Sequence, residues 1–177
     1  MAWNTRGLRG STLEELINFS NDVYREKGLG IIQKIPTPIT PVKISTDKRN
    51  ITLAYFEKKS TVDYIGAVQG IPICFDAKET SHEYLPLQNV HEHQIQFMKD
   101  FSKQKGAAFL IVYFSKHTKT FLYPLEKLEK YYIASQNGGR KSVPYSDFSE
   151  EYIIPNKNGI VLHYLEPLNK YLIKLGI

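Results

Sequence analysis

The chain is poor in cysteine and has no long apolar run. A single cysteine, Cys74, stands among 177 residues. This excludes an internal disulfide and any zinc site built from several cysteines. No apolar stretch approaches the roughly 20 residues needed to span a bilayer. The opening residues, Met1-Ala2-Trp3-Asn4-Thr5-Arg6, hold no apolar core of the kind a secretory signal requires. No internal repeat or low-complexity tract is present. Together these absences lead to the expectation of a cytoplasmic protein that makes no membrane contact.

What remains is the make-up of an ordinary folded protein, 42% hydrophobic and 23% charged. At this length one domain with a real core is expected over residues 1–177. The formal charge is +5 and the isoelectric point about 9.1. That is compatible with nucleic acid without requiring it. Distribution says more. Between Gly28 and Ser60 six cations (Lys34, Lys43, Lys48, Arg49, Lys58, Lys59) face two acids (Asp47, Glu57). A second basic cluster is Gly138-Gly139-Arg140-Lys141-Ser142. With Arg6 and Arg9, the residues Lys34, Lys43, Lys48, Arg49, Arg140 and Lys141 form the set of expected phosphate contacts.

Ser11-Thr12-Leu13-Glu14 reads as a capping box. Apolar residues at helical spacing follow, and Gly28 sits where a C-terminal cap belongs, so a helix is expected from about Thr12 to Lys27. A short strand is expected over Leu29 to Lys34. Pro36, Pro38 and Pro41 then exclude helix and central strand and favour an extended arm. Strands over Val42–Ser45 and Ile51–Phe56, around a charged turn, suggest a two-stranded projection. Thr61–Val68 and Ile71–Lys78, broken by Gln69-Gly70, form a hairpin pattern. Gly66 inside the first of these strands suggests a bulge or the close approach of another backbone. Helices are expected over 91–104, from Pro124 to Gly138 and over 166–175. Ala107–Phe114 is almost wholly apolar, which marks a central strand, with Thr120–Tyr123 as its partner. The order predicts an α/β protein with a central mixed sheet flanked by helices.

The chemistry concentrates in Ser60-Thr61-Val62-Asp63-Tyr64-Ile65-Gly66 and Phe75-Asp76-Ala77-Lys78-Glu79-Thr80. Metal-dependent phosphodiester hydrolysis needs oxygen ligands for a hard cation, a water made acidic by it, and positive charge beside the phosphate. Asp63 and Asp76 meet the first need. Lys78 meets the third, or orients the water. As neighbours in a strand at i and i+2, Asp76 and Lys78 would leave the same face. An Asp followed later by Asp-Ala-Lys is common among solvated charges. Here the set closes an apolar run (Ile71, Ile73, Cys74, Phe75), where surface charge is harder to explain. Glu14 and Glu15 are most simply first-turn acids favouring the helix dipole. His91 and His93 lack further soft ligands and read as structural or DNA-facing. Cys74 reads as a small core residue.

These residues resemble the RecU-type Holliday junction resolvases, members of the PD-(D/E)xK nuclease superfamily. The resemblance runs through Arg6-Gly7, Thr12–Asn18, Lys34–Ile39, Ala54–Phe56, Ser60–Gly66, Phe75–Thr80, Pro86–Ile95 and Gly138–Tyr145, in that order. It implies a restriction-endonuclease-like fold, a homodimer, and paired nicking of four-way DNA junctions in recombination and repair. Mg²⁺ is the implied cofactor, with Mn²⁺ able to substitute, and the strand-exchange recombinase a further partner. By position, Thr61, Asp63, Asp76 and Gln94 would surround the metal, and Lys78 would stabilise the transition state. The segment from about Lys34 to Lys59 would be a stalk reaching toward the junction centre. One departure stands out: the family usually carries glutamate where this chain has Asp76, and the wider superfamily accepts either. Two-fold symmetry of the junction asks for a dimer, with Ala107–Phe114 or the tyrosine-rich segment near Tyr131 as candidate surfaces. The competing readings are a non-catalytic branched-DNA-binding or recombinase-modulating protein, and a restriction-type duplex endonuclease.

Overall fold

The computed structural model describes residues 12–36, 38–47, 49–56 and 61–177. Arg6, Arg9 and Lys48, expected to meet phosphate, lie outside them, as do Lys58 and Lys59.

Helix α1 (Leu13–Glu26) buries Leu13, Ile17 and Tyr24. Its capping box is set one residue later than the sequence pattern suggests. Thr12 is the N-cap, and its side chain and that of Glu15 exchange hydrogen bonds with each other's backbone amides. The shift follows from burial: Leu13 must enter the core as the first helical residue, so the cap falls on Thr12. Gly28, at φ +65°, turns the chain out of the helix.

Strand β1 (Ile31–Lys34) is the edge of the main sheet. Strands β2 (Ile39–Ile44) and β3 (Ile51–Phe56) pair only with each other in a separate two-stranded sheet. Pro41 lies inside β2, which begins earlier than the prolines suggest. Both strands here are edges, so a missing amide is tolerated, and the register slips between Pro41 and Lys43. Ile39, Val42, Ile44, Ile51, Leu53 and Tyr55 are all exposed on this hairpin.

The main sheet continues with β4 (Tyr64–Val68) and β5 (Ile71–Thr80), joined by a tight turn with positive φ at Gln69 and Gly70. A short strand β6 (Tyr84–Pro86) and helix α2 (Glu92–Lys103) follow. Strand β7 (Ala107–Phe114) runs parallel to β5, and β8 (Lys119–Pro124) returns antiparallel. The order is β1-β4-β5-β7-β8. Helix α3 (Leu125–Gln136), strand β9 (Ser142–Pro144), which pairs with β6, and helix α4 (Leu165–Leu175) complete the fold. The short β6–β9 pair is too brief to register in the sequence pattern.

Alternation along β5 and β7 divides the interior in two. Ile73, Phe75, Phe109 and Ile111 pack with α1 and α4 on one face. Cys74, Ala108, Leu110 and Val112 pack with α2 and α3 on the other. Burial pushes the Cys74 thiol up to about 12, consistent with an inert core residue. The central strand β7 is buried on both faces. That corrects the suggestion of Ala107–Phe114 as a dimer surface: it lies between β5 and β8, with no free edge.

Gly66 permits a close approach of backbone. A Cβ there would collide with the Ile31 carbonyl oxygen and lie 2.6 Å from Ile32 Cα. Both obstacles are main chain of β1, which cannot rotate away. Gly66→Ala is therefore expected to cost about 2 kcal/mol, read as a fall in melting temperature of ~4–8 °C.

Candidate active site

Strand β4 begins only at Tyr64, and that late start builds the site. Asp63 precedes β4 by one residue and lies one step beyond the cross-strand pair Tyr64–Phe75, opposite Asp76 on β5. The two carboxylates therefore meet on one side of the sheet. Asp63 Oδ2 accepts a 2.9 Å hydrogen bond from the Ala77 amide. It thus satisfies an amide on the side of β5 that β4 no longer covers. The Asp63 amide in turn donates to Asp76 Oδ1 at 3.2 Å. The Asp63 carbonyl accepts from the Ile35 amide at 2.8 Å, tying the root of the β2–β3 hairpin to the site.

Asp76 is fully buried. Its Oδ1 also accepts from Gln94 Nε2 on α2 at 2.9 Å. Its Oδ2 meets the ammonium of Lys78 in an ion pair and, among the described residues, accepts no further hydrogen bond. The i, i+2 spacing thus places acid and base side by side, as the strand geometry requires. Burial, opposed by the Lys78 charge and reinforced by Asp63, pushes the Asp76 carboxyl up to about 7. A buried, half-satisfied carboxylate beside a second one is an arrangement that a cation completes.

Gln94 is held from both ends. Its Oε1 accepts from the His91 amide as the capping box of α2, and its NH₂ group points at Asp76. It fixes the carboxylate rather than presenting an oxygen beside it. Thr61 is half-buried, two residues before Asp63, and among the described residues joins none of these hydrogen bonds. Glu14 pairs with Lys34 at 2.5 Å, and Glu15 serves the α1 cap. Neither approaches the acids through a hydrogen bond. Lys34 is thus engaged on the protein. Lys43 and Arg49 are exposed on the hairpin. Arg140 is exposed and donates to Ser142 Oγ, and Lys141 lines a cleft beside α2. Lys34 lies opposite Tyr64 in the β1–β4 register and so one residue from Asp63, and Lys34, Lys43, Arg49, Arg140 and Lys141 form no ion pair with Asp63 or Asp76.

Two supporting groups escaped the sequence reading. Glu79 accepts from the Leu13 amide at 2.6 Å and so holds the start of α1. Alternation puts Glu79 on the face opposite Lys78, which is a signal once α1 is known to cover that face. The Ile35 amide bond to Asp63 has no sequence signal, because it is backbone to backbone.

A family model described as RecU, recombination protein U, matches residues 8–170. The chain belongs to the RecU family. A relative in Pediococcus pentosaceus, named Holliday junction resolvase RecU, is 44% identical over 93% of this chain and 84% of its own length. Relatives of the same name in Levilactobacillus brevis and Oceanobacillus iheyensis are 40% and 38% identical, over 94% and 92% of this chain and 85% of each relative. A solved structure of Archaeoglobus fulgidus Hjc, a Holliday junction resolvase, covers 75% of this chain and 90% of that one. Its TM-score is 0.42 and its identity 9%, too slight a likeness to build on. Among the described residues no helix is long and apolar enough to cross a membrane.

Proposed function

We propose that this chain is an endonuclease that resolves Holliday junctions by paired, metal-dependent nicking. The observation that carries the reading is the buried Asp76 carboxylate, with Asp63 opposite it and Lys78 against it, in a chain whose relatives bear the resolvase name. The cluster lies in Ser60–Gly66 and Phe75–Thr80, two of the segments through which the family resemblance runs.

The residues fit a divalent cation. Asp76 Oδ2 is buried with the Lys78 ammonium against it and, among the described residues, no further hydrogen bond, and Asp63 supplies a second carboxylate beside it. Among the described residues no group of three or more His, Cys, Asp or Glu side chains gathers; two carboxylates completed by waters suit a hard ion such as Mg²⁺, with Mn²⁺ as substitute. When bound, such an ion makes a water acidic enough to attack and offsets charge on the phosphate. The chain does the rest. The Ala77 amide and Gln94 hold the two carboxylates in place. Lys78, 15% exposed at its side chain, is buried enough for its charge to act at low dielectric and open enough to reach a phosphate oxygen.

Asp76 makes metal binding proton-linked. Below about pH 7 the carboxyl carries a proton that a cation must displace. The rise in melting temperature produced by Mn²⁺ is expected to be small at pH 5 and to grow up to pH 8. A shift independent of pH across that span would rule out Asp76 as the ligand.

We further propose a homodimer, with branched DNA as substrate and the recombinase as a further partner. The apolar side chains exposed on the β2–β3 hairpin support a second copy, because a lone two-stranded hairpin is marginal in water. The deciding experiment is a nicking assay on a synthetic four-way junction beside linear duplex. Symmetric nicks in the junction with Mg²⁺ are expected. Cutting of linear duplex at a fixed short sequence would favour a restriction-type enzyme, and tight binding without cutting in either ion a non-catalytic junction binder.

A further inference from the structure

We infer that the cleft between the start of α2 and the end of α3 receives an unstacked nucleobase from the strand being cut, within two nucleotides of the scissile phosphate. The inference rests on the junction-cutting reading above and deepens it.

The cleft has a volume of about 810 Å³, within the range of small-molecule sites. Its wall carries a ready-made π-stack: the His82 and Tyr84 rings lie 5.0 Å apart and only 8° from parallel. Tyr84 is 37% exposed, so a large aromatic side chain stands in solvent at a polar cleft. Aromatic rings accept bases of any sequence, because every base has a π-face. Lys141 and Glu92 line the cleft together, one ammonium against one carboxylate. The fixed charges of the wall therefore balance, with the imidazoles of His82 and His91 as its other basic groups. Ser135, Gln136 and Gln88 add uncharged donors and acceptors suited to the edge of a base.

Position selects the ligand. His91 lines the cleft, its amide donates to Gln94, and Gln94 donates to Asp76. Two hydrogen bonds and one turn of helix thus separate the cleft wall from the proposed metal-binding carboxylate. A phosphate seated at Lys78 brings the bases of adjoining nucleotides to this rim. Extruding a base costs least where stacking is already interrupted, as at a branch point. A base site here would favour branched over continuous duplex without reading sequence.

The test is photocrosslinking. 5-Iododeoxyuridine is placed in turn at each position within two nucleotides of the mapped nick, in an otherwise standard four-way junction. The complex is held uncut in Ca²⁺ and irradiated, and the adducts are mapped by mass spectrometry. The expected result is an adduct within residues 82–91 of the wild-type protein. Tyr84→Ala is expected to lose it and to cut junctions at least tenfold more slowly, with the Mn²⁺-induced rise in melting temperature unchanged. Tyr84→Phe is expected to retain both adduct and rate. Adducts only elsewhere, from a protein that cuts the junction, would overturn the cleft assignment and leave the nuclease reading standing. The cleft assignment falls in the same way if a second copy or a protein partner covers the cleft and no adduct forms. Failure of the wild type to cut the junction in Mg²⁺ or Mn²⁺ would overturn both.

Discussion

Asp76→Asn is expected to lower junction cutting by at least ~10³-fold, the scale of losing a metal ligand and the charge stabilisation it brings. The fold should survive. Asparagine is isosteric and leaves Phe75 and Ala77, the neighbours that stack and bond in the sheet, untouched. The variant also separates catalysis from stability through pH. In the wild type without metal, the Asp76 carboxyl titrates near 7 in the folded chain, against 3.8 for an ordinary aspartate. A raised folded value means that the folded state holds its proton more tightly than the unfolded one. That contribution is complete below about 3.8 and is lost as pH climbs through 7. The variant has no such group. Its melting temperature relative to wild type should therefore rise from pH 5 to pH 8 in the absence of metal, and Mn²⁺ should no longer raise it. A variant that still cuts junctions at more than a tenth of the wild-type rate would remove Asp76 from the chemistry. One that neither cuts nor folds would be replaced by Asp63→Asn, since Asp63 is only partly buried.

The parts of this molecule that sequence reveals are those governed by local periodicity. The helix over Leu13–Glu26, the turn at Gln69-Gly70 and the buried strand Ala107–Phe114 follow from patterns confined to a few neighbouring residues. The i, i+2 placement of Asp76 and Lys78 likewise needed only the strand assignment to put them on one face. What escaped depends on contacts between elements. The α1 cap moved from Ser11 to Thr12 because the core, not the motif, decides which residue is first buried. Pro41 sits in a strand because its sheet has only edges. The carboxylate pairing was legible as a possibility, but its support was not. The Ala77 amide and the Ile35–Asp63 bond arise from where β4 begins, and the two-ended grip on Gln94 from the cap of α2; no residue type announces either.

Lys78→Met should produce a loss of a different kind. Removing a single preorganised cation beside the reacting phosphate is expected to cost ~10²–10³-fold in cutting rate. Lys78 has a second effect, through Asp76. Its charge opposes the burial that drives the carboxyl upward, so without it the proton is held more tightly and a cation competes less well. The pH at which Mn²⁺ begins to raise the melting temperature should therefore move upward in the variant. Lys78→Arg keeps the charge on a longer, planar head. It should restore the Mn²⁺ profile toward that of the wild type while leaving the rate low, because contact with the phosphate depends on placement as well as sign. Equal rescue of both by arginine would mean that Lys78 acts only as a counter-ion to Asp76. Rescue of neither would mean that the lysine ion pair at Oδ2, added to the Oδ1 bonds from Gln94 and the Asp63 amide, is needed to keep the carboxylate in its working position.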